Sequence, residues 1–355
     1  MLEHALWMPS LPYSRKLLSA YGTAGQGWEL LPLMGEISGV FRRSDSQELR
    51  SGLELQTDDL ISVRDRDLSL GQAVFHYFPM RADRWLDWLI RSPSYWDLVG
   101  LDVDEDGVVP GLVRYVDEMG SPGVAVTCAL CHSAPTERSQ RHDGRATRTL
   151  DIGKARALWK QSIGLSAGDE AHWGPGRIDV TDDGVDGPTA IPDLFGLADA
   201  RYLNASGVIE VVDSVVPALR FETQFILGHN MLARPARDLT MALADYVLSL
   251  SPATQPAPTP EAFLERCAGC HNPEASFSGG LVDANAIGTD PTVAHTPARG
   301  TGYYKIPSLL GASHGGPYFH DASAETFDEV LDRHATGAPL DAATRRQIIR
   351  FLTTI

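Results

Sequence analysis

Cys128-Ala129-Leu130-Cys131-His132 and Cys267-Ala268-Gly269-Cys270-His271 decide how this chain is read. Both have the form C-x-x-C-H, the attachment signature of a c-type haem. In that chemistry the two thiols add to the haem vinyl groups as thioethers, and the adjacent His gives the iron its proximal nitrogen. The chain has four cysteines, and the two motifs use all of them. Two covalently bound haem c groups are therefore the expected cofactors. One is held by Cys128, Cys131 and His132, the other by Cys267, Cys270 and His271.

Two other readings compete. A C-x-x-C pair also serves as a redox dithiol or as half of a zinc site. A thioredoxin-like motif opens a helix after a buried strand, and nothing here repeats that pattern twice. A four-Cys zinc site would have to join pairs separated by 135 residues, whereas zinc ribbons separate them by roughly 15–20. The His that closes both motifs favours haem.

Composition narrows the classes. Hydrophobic residues make up 43% of the 355 residues, enough for two or three cored domains. A net charge of −16 argues against nucleic acid and against an anionic membrane surface. No apolar run approaches the length of a membrane span. Covalent haem attachment in bacteria takes place outside the cytoplasm, so the periplasm is the expected location. Residues 1–20 show no basic segment followed by an apolar core, so that expectation rests on the motifs alone.

The expected fold class is mainly α, with two tandem cytochrome c-like haem domains behind an N-terminal extension. The extension, 1–120, has no Cys and five of the seven Trp. Helical patterns occur at Tyr13–Tyr21 and Ala82–Ile90, with Ser14 and Asp83 as candidate caps. The acidic run Asp102–Gly107 lacks the spacing of an EF-hand loop and reads as a solvated turn. Residues 121–252 form the first haem domain and close on a helical pattern at Leu239–Leu250. A Pro-rich linker follows at 253–260. The second haem domain spans 261–355, with helices at Glu261–Arg266, Ala324–His334 and Asp341–Leu352. There is also an internal repeat: Ile191-Pro-Asp-Leu-Phe-Gly196 matches Ile306-Pro-Ser-Leu-Leu-Gly311, and Tyr202-Leu-Asn-Ala-Ser206 matches Tyr318-Phe-His-Asp-Ala322.

The stretches Tyr304–Gly311, Gly316-Pro-Tyr-Phe-His-Asp321 and Thr326-Phe-Asp-Glu-Val330, with Ile287-Gly-Thr-Asp-Pro291, resemble the bacterial di-haem cytochrome c peroxidase superfamily. That superfamily includes the MauG enzymes and, more distantly, the RoxA-type rubber oxygenases. The resemblance covers roughly 121–355 and is strongest over 261–337. It implies one six-coordinate haem that relays electrons and one haem with a face open to peroxide or dioxygen. It places the second axial ligand fourteen residues after His320, at His334. Peroxidases carry Met there and MauG enzymes Tyr; His resembles the RoxA branch. The competing reading makes His334 a helix C-terminal residue on the dipole, with Gly337 as the stop. His320 is expected near the haem propionates.

For the first haem the repeat offers no ligand at the matching place, which is Ala218. The resemblance puts Glu222 in the role of distal proton shuttle, with Gln224 assisting and Phe221 and Phe225 keeping the pocket dry. Three arrangements stay open: an open or Glu-guarded face, ligation by His229, or ligation by His142. Met119 reads as core. The family's bridging Trp has no counterpart in Arg201-Tyr202-Leu203-Asn204, so the substitute is either Tyr202 or Trp173 approaching from elsewhere; the competing reading of Trp173 is core. The carbonyls of Gly315 and Pro317 fall where the family binds calcium. The implied function is a periplasmic di-haem oxidoreductase that reduces peroxide at the first haem. Its electrons come from a small donor protein, or it meets a small-molecule oxidant, and pass through the second haem. A RoxA-like dioxygenase and a non-catalytic di-haem electron carrier are the alternatives.

Overall fold

The computed structural model describes residues 1–23, 36–42, 68–105, 107–116, 121–136, 140–181, 185–229, 234–253, 256–334 and 339–355, with backbone alone at 23, 36–42 and 116. Helices dominate and the sheets are small. The chain forms two compact units from interleaved segments, each with one C-x-x-C-H motif.

The unit of the first motif comprises 17–177 and 217–247. Its sheet was not foreseen. Strands Glu36–Arg42, Val108–Val116 and Pro122–Val126 pair antiparallel in that order. The middle strand carries Pro110 and Gly111, which mask its β-branched run as a turn; Val109, Leu112, Val113, Val124 and Ala125 are nonetheless buried. The helix Arg84–Ile90 lies next to the sheet strand Pro122–Val126 and to the helix Ile152–Ser162. Asp83 precedes Arg84–Ile90 without a capping bond; its carboxylate takes the Arg81 guanidinium instead, at 2.5 Å. Ser14 is likewise no cap, because its helix already starts at Pro12. The helices Leu68–Tyr77 and Arg237–Ser249 touch backbone to backbone at Gly71, where a Cβ would stand 2.1 Å from the Ala242 carbonyl oxygen.

The unit of the second motif comprises 1–16, 178–216 and 248–355. Helix Glu261–Arg266 packs on the C-terminal helix Ala342–Leu352, as expected for the compact haem domain. Between them Phe263, Phe277 and Phe351 meet edge to face, with centroids 5.0–5.6 Å apart. Helix Phe327–Arg333 opens on a capping box, Thr326 with Glu329, and the last helix is capped by Asp341. These bounds fall within three residues of the sequence expectation.

The compact units do not follow boundaries at 120 and 252. Strands Glu36–Arg42 and Val108–Val116, within 1–120, belong to the unit of the first motif, and residues 1–16 to that of the second. The segment 178–216, with one half of the internal repeat, packs with the second motif. A buried ion pair helps to tie it there. Arg299, 5% exposed, grips Asp179 through two hydrogen bonds of 3.0 and 3.1 Å. It also donates to the Gly187 carbonyl at 2.8 Å. Ser206 Oγ donates to the Arg299 carbonyl, and Thr301 Oγ1 to the Ser206 carbonyl. Arg299→Met leaves the Asp179 carboxylate buried without its partner. It should cost about 3–5 kcal/mol in chemical denaturation; an unchanged midpoint would show that the pair does not hold the segment.

Candidate functional site

The second motif begins where helix Glu261–Arg266 ends. His271 N donates to the Cys267 carbonyl at 2.8 Å, closing the turn. His271 Nδ1 donates to the Phe277 carbonyl at 2.9 Å. With Nδ1 as the donor, Nε2 keeps its lone pair, the tautomer an axial ligand needs. Ser276 and Phe277 both hold positive φ, 53° and 56°, and this unusual backbone sets the carbonyl at His271. Burial holds the His271 imidazole down at about 4; the bond to Phe277 opposes this and His334 adds to it. The ring is neutral.

His334 caps the end of helix Phe327–Arg333. Burial lowers its pKa as well, which disfavours the cationic form that the dipole reading requires. Gly337 lies outside the described residues. The His334 and His271 ring centroids are 6.2 Å apart, with planes 38° from parallel. Two imidazoles at this spacing would suit a metal held between them, and with a haem bound at the second motif His271 and His334 would be the residues to hold its iron. Phe319, at φ 68°, stacks on His334 with ring centroids 5.9 Å apart. His320 turns to Tyr304 instead, with centroids 4.0 Å apart, and its Nδ1 lies 3.4 Å from Thr289 Oγ1.

The first motif follows strand Pro122–Val126. Thr127 N donates to the Gly111 carbonyl at 2.8 Å, and His132 N to the Cys128 carbonyl at 3.1 Å. Gly111 has φ +81°, and a Cβ there would lie 1.9 Å from Leu130 N, inside the motif. Only glycine lets the strand pass this close. The turn leaves through a hairpin in which Ser133–Pro135 pairs with Arg141–Asp143.

Burial pushes the Cys128 and Cys131 thiols up to about 12, and Cys267 to about 11. The residues keep some exposed surface, so it is the sulfurs that are enclosed. A dithiol oxidoreductase needs the opposite shift. The two Cys pairs also belong to different units, and no cluster of three or more His, Cys, Asp or Glu suited to a metal ion occurs among the described residues. Neither zinc nor a dithiol gains support.

Other candidates land as follows. Glu222 is 1% exposed and tied to Arg234 Nε at 2.7 Å and Arg237 Nε at 3.5 Å. Arg234 lies over the Tyr21 ring at 4.5 Å. Gln224 Oε1 is buried without a hydrogen bond, and Phe225 packs on Phe78. Phe221 is half-buried. His229 Nε2 meets the Pro79 carbonyl at 3.2 Å, and His142 sits on the hairpin opposite Ala134. Tyr202 belongs to the unit of the second motif. Its hydroxyl lies 3.4 Å from Glu210 Oε1, and Trp7 packs on its ring at 6.3 Å. Trp173 is 5% exposed, a core residue beneath Arg156. Asp104 accepts from Val108 N at 2.8 Å, closing the acidic run as a turn; Asp106 and Met119 lie outside the described residues. Gly315 and Pro317 flank Gly316, where the Gly316–Pro317 peptide bond is cis. A carbonyl site for calcium would leave no side-chain cluster there.

One group was missed. Asp143 gathers His76, Ser133 and Tyr246 beside the first motif. The four residues come from four distant stretches, so no spacing in the sequence announces them.

Scans against protein-family models and against curated proteins find no match. Among solved structures, hydrazine synthase of Kuenenia stuttgartiensis, pressurised with 20 bar xenon, aligns with a TM-score of 0.36 and 15% identity, covering 63% of this chain and 90% of that one. A similarity of that size carries no argument about fold or activity.

Gly111→Ala should block closure of the first motif and leave the second intact. Peptide mass mapping after expression with the haem-attachment machinery should then find haem on Cys267–His271 alone. Haem on both motifs would show that the strand has room to give.

Proposed function

We propose that this chain is a di-haem c-type oxidoreductase that reduces hydrogen peroxide at the first motif with electrons received at the second. The observation that carries the reading is the 6.2 Å spacing of His271 and His334. It supports a bis-imidazole centre of the kind that transfers electrons without binding substrate. Cys267 and Cys270 would hold that haem, and Cys128, Cys131 and His132 the other. When bound, haem supplies an iron that exchanges single electrons and, where a face is free, binds a small oxidant.

The reading keeps a free face at the first motif, and the Pro79 carbonyl at His229 Nε2 speaks against ligation by His229. In the role assigned to Glu222, its carboxylate takes a proton from peroxide and returns it to the leaving oxygen. Arg234 and Arg237 hold that carboxylate in one position. Phe78 and Phe225 line the same helix with apolar surface. Tyr202 and Trp7 form an aromatic contact within the unit of the second motif, suited to passing electrons. The compartment proposed is the periplasm, where c-type haem is attached; no helix among the described residues is long and apolar enough to cross a membrane.

The holoprotein's EPR and visible spectra test the reading. We expect a bis-His low-spin signal beside a high-spin ferric signal, and peroxide turnover with a reduced donor. Two low-spin haems inert to peroxide would sink the enzyme and leave an electron carrier. A stable ferrous–oxygen complex with no peroxide turnover would point to oxygen chemistry. His334→Ala should convert only the low-spin centre to high spin. Glu222→Gln should slow peroxide turnover by about 10²–10⁴-fold with both spectra intact.

A further inference from the structure

Four side chains from separate stretches of the first unit meet at one carboxylate. Asp143 Oδ2 accepts from His76 Nε2 at 2.7 Å and from the Tyr246 hydroxyl at 2.5 Å. Oδ1 accepts from the Ser133 hydroxyl at 2.6 Å. The Asp143 side chain is 15% exposed. Burial alone would push its carboxyl up, but the bonds from His76, Ser133 and Tyr246 outweigh it and hold it at about 2. The Tyr246 phenol moves up, by burial first and then by its bond to Asp143.

This cluster is fastened to both ends of the first motif. Thr127 Oγ1, one residue before Cys128, donates to the His76 carbonyl at 3.1 Å. Ser133 follows His132 directly and pairs with Asp143 across the hairpin. Gly144 N donates to the His132 carbonyl at 2.8 Å, and Arg141 Nη1 to the Ser133 carbonyl at 2.5 Å. The carboxylate therefore stands beside the residue that would ligate iron.

Shape alone does not require an acid here. An Asn could accept from His76 and Tyr246 on its oxygen and donate its amide to Ser133, whose hydroxyl can turn to accept. What Asp adds is a fixed charge in a poorly hydrated place. A negative charge within about 10 Å of an iron favours the more positive oxidised state, because screening is weak away from bulk water.

We propose that Asp143 is a charged positioning residue of the first haem site, fixing the turn that carries His132 and lowering the reduction potential of the iron bound there. The proposal rests on the haem reading above. His76 and Tyr246 orient the carboxylate from the helices Leu68–Tyr77 and Arg237–Ser249.

The test is a redox titration of the holoprotein followed by EPR and visible spectra, with both haems resolved. Asp143→Asn should raise the potential of the first haem and leave the second where it is; Asp143→Glu should bring it back. Tyr246→Phe removes a donor but keeps the charge, so it should move the first potential down. A purely structural role would change haem yield or melting temperature without these opposite shifts. An unmoved first potential in Asp143→Asn, or equal movement of both haems, overturns the proposal. If Asp143→Asn fails to retain its first haem, Tyr246→Phe decides: a fall supports the proposal and no shift overturns it. Wild-type protein without haem mass on the Cys128–His132 peptide overturns both the functional reading and this inference. With that mass present, the two stand or fall separately.

Discussion

The hydrogen bond from His271 Nδ1 to the Phe277 carbonyl is the constraint around which the second unit is arranged. It fixes one imidazole, and it does so from a residue whose ring is locked in the core by Phe263 and Phe351. The backbone cost is visible. Ser276, Phe277 and Phe319 all sit at positive φ without being glycine, each a conformation worth about 1–3 kcal/mol of strain. The first two deliver the carbonyl to His271; the third lays a ring against His334. Strain gathered around two facing imidazoles is spent on holding them, and the aromatic core resists its release.

Much of this was legible in the chain. The two C-x-x-C-H runs can be read from local spacing alone. The helices Glu261–Arg266, Phe327–Arg333 and Ala342–Leu352 carry apolar periodicity, and two of them begin at strong caps. His334, counted fourteen residues after His320, comes to lie near His271. The sheet was not legible, because Pro110 and Gly111 interrupt its middle strand, and the reason for Gly111 is contact with Leu130 rather than a turn. The segment 178–216 follows the first motif along the chain, but its ties run to distant residues, Arg299 among them, more than a hundred residues away. Asp143 was invisible for the same reason: its partners His76 and Tyr246 are 67 and 103 residues off.

Glu222 shows where reasoning from a motif position stops. It is buried in the helix Val216–Gly228. Its partners could not be read from the chain, since Arg234 and Arg237 lie beyond the end of that helix. On the proposed reading, a carboxylate paired with two guanidinium groups would have to exchange one of those contacts for peroxide before it could move a proton.

The two motifs end in surroundings of different character, and the difference has a direction. Beside His271 and His334 lie Phe277 and Phe319, and burial lowers the pKa of both imidazoles. Beside His132 stands a carboxylate that three donors keep charged. A site that only relays electrons benefits from ligands that change little between oxidation states. A site that must give electrons to a bound oxidant benefits from an anion, which stabilises the iron as positive charge builds on it. On the proposed reading, the carboxylate of Asp143 supports the first motif as the place where the oxidant meets the iron.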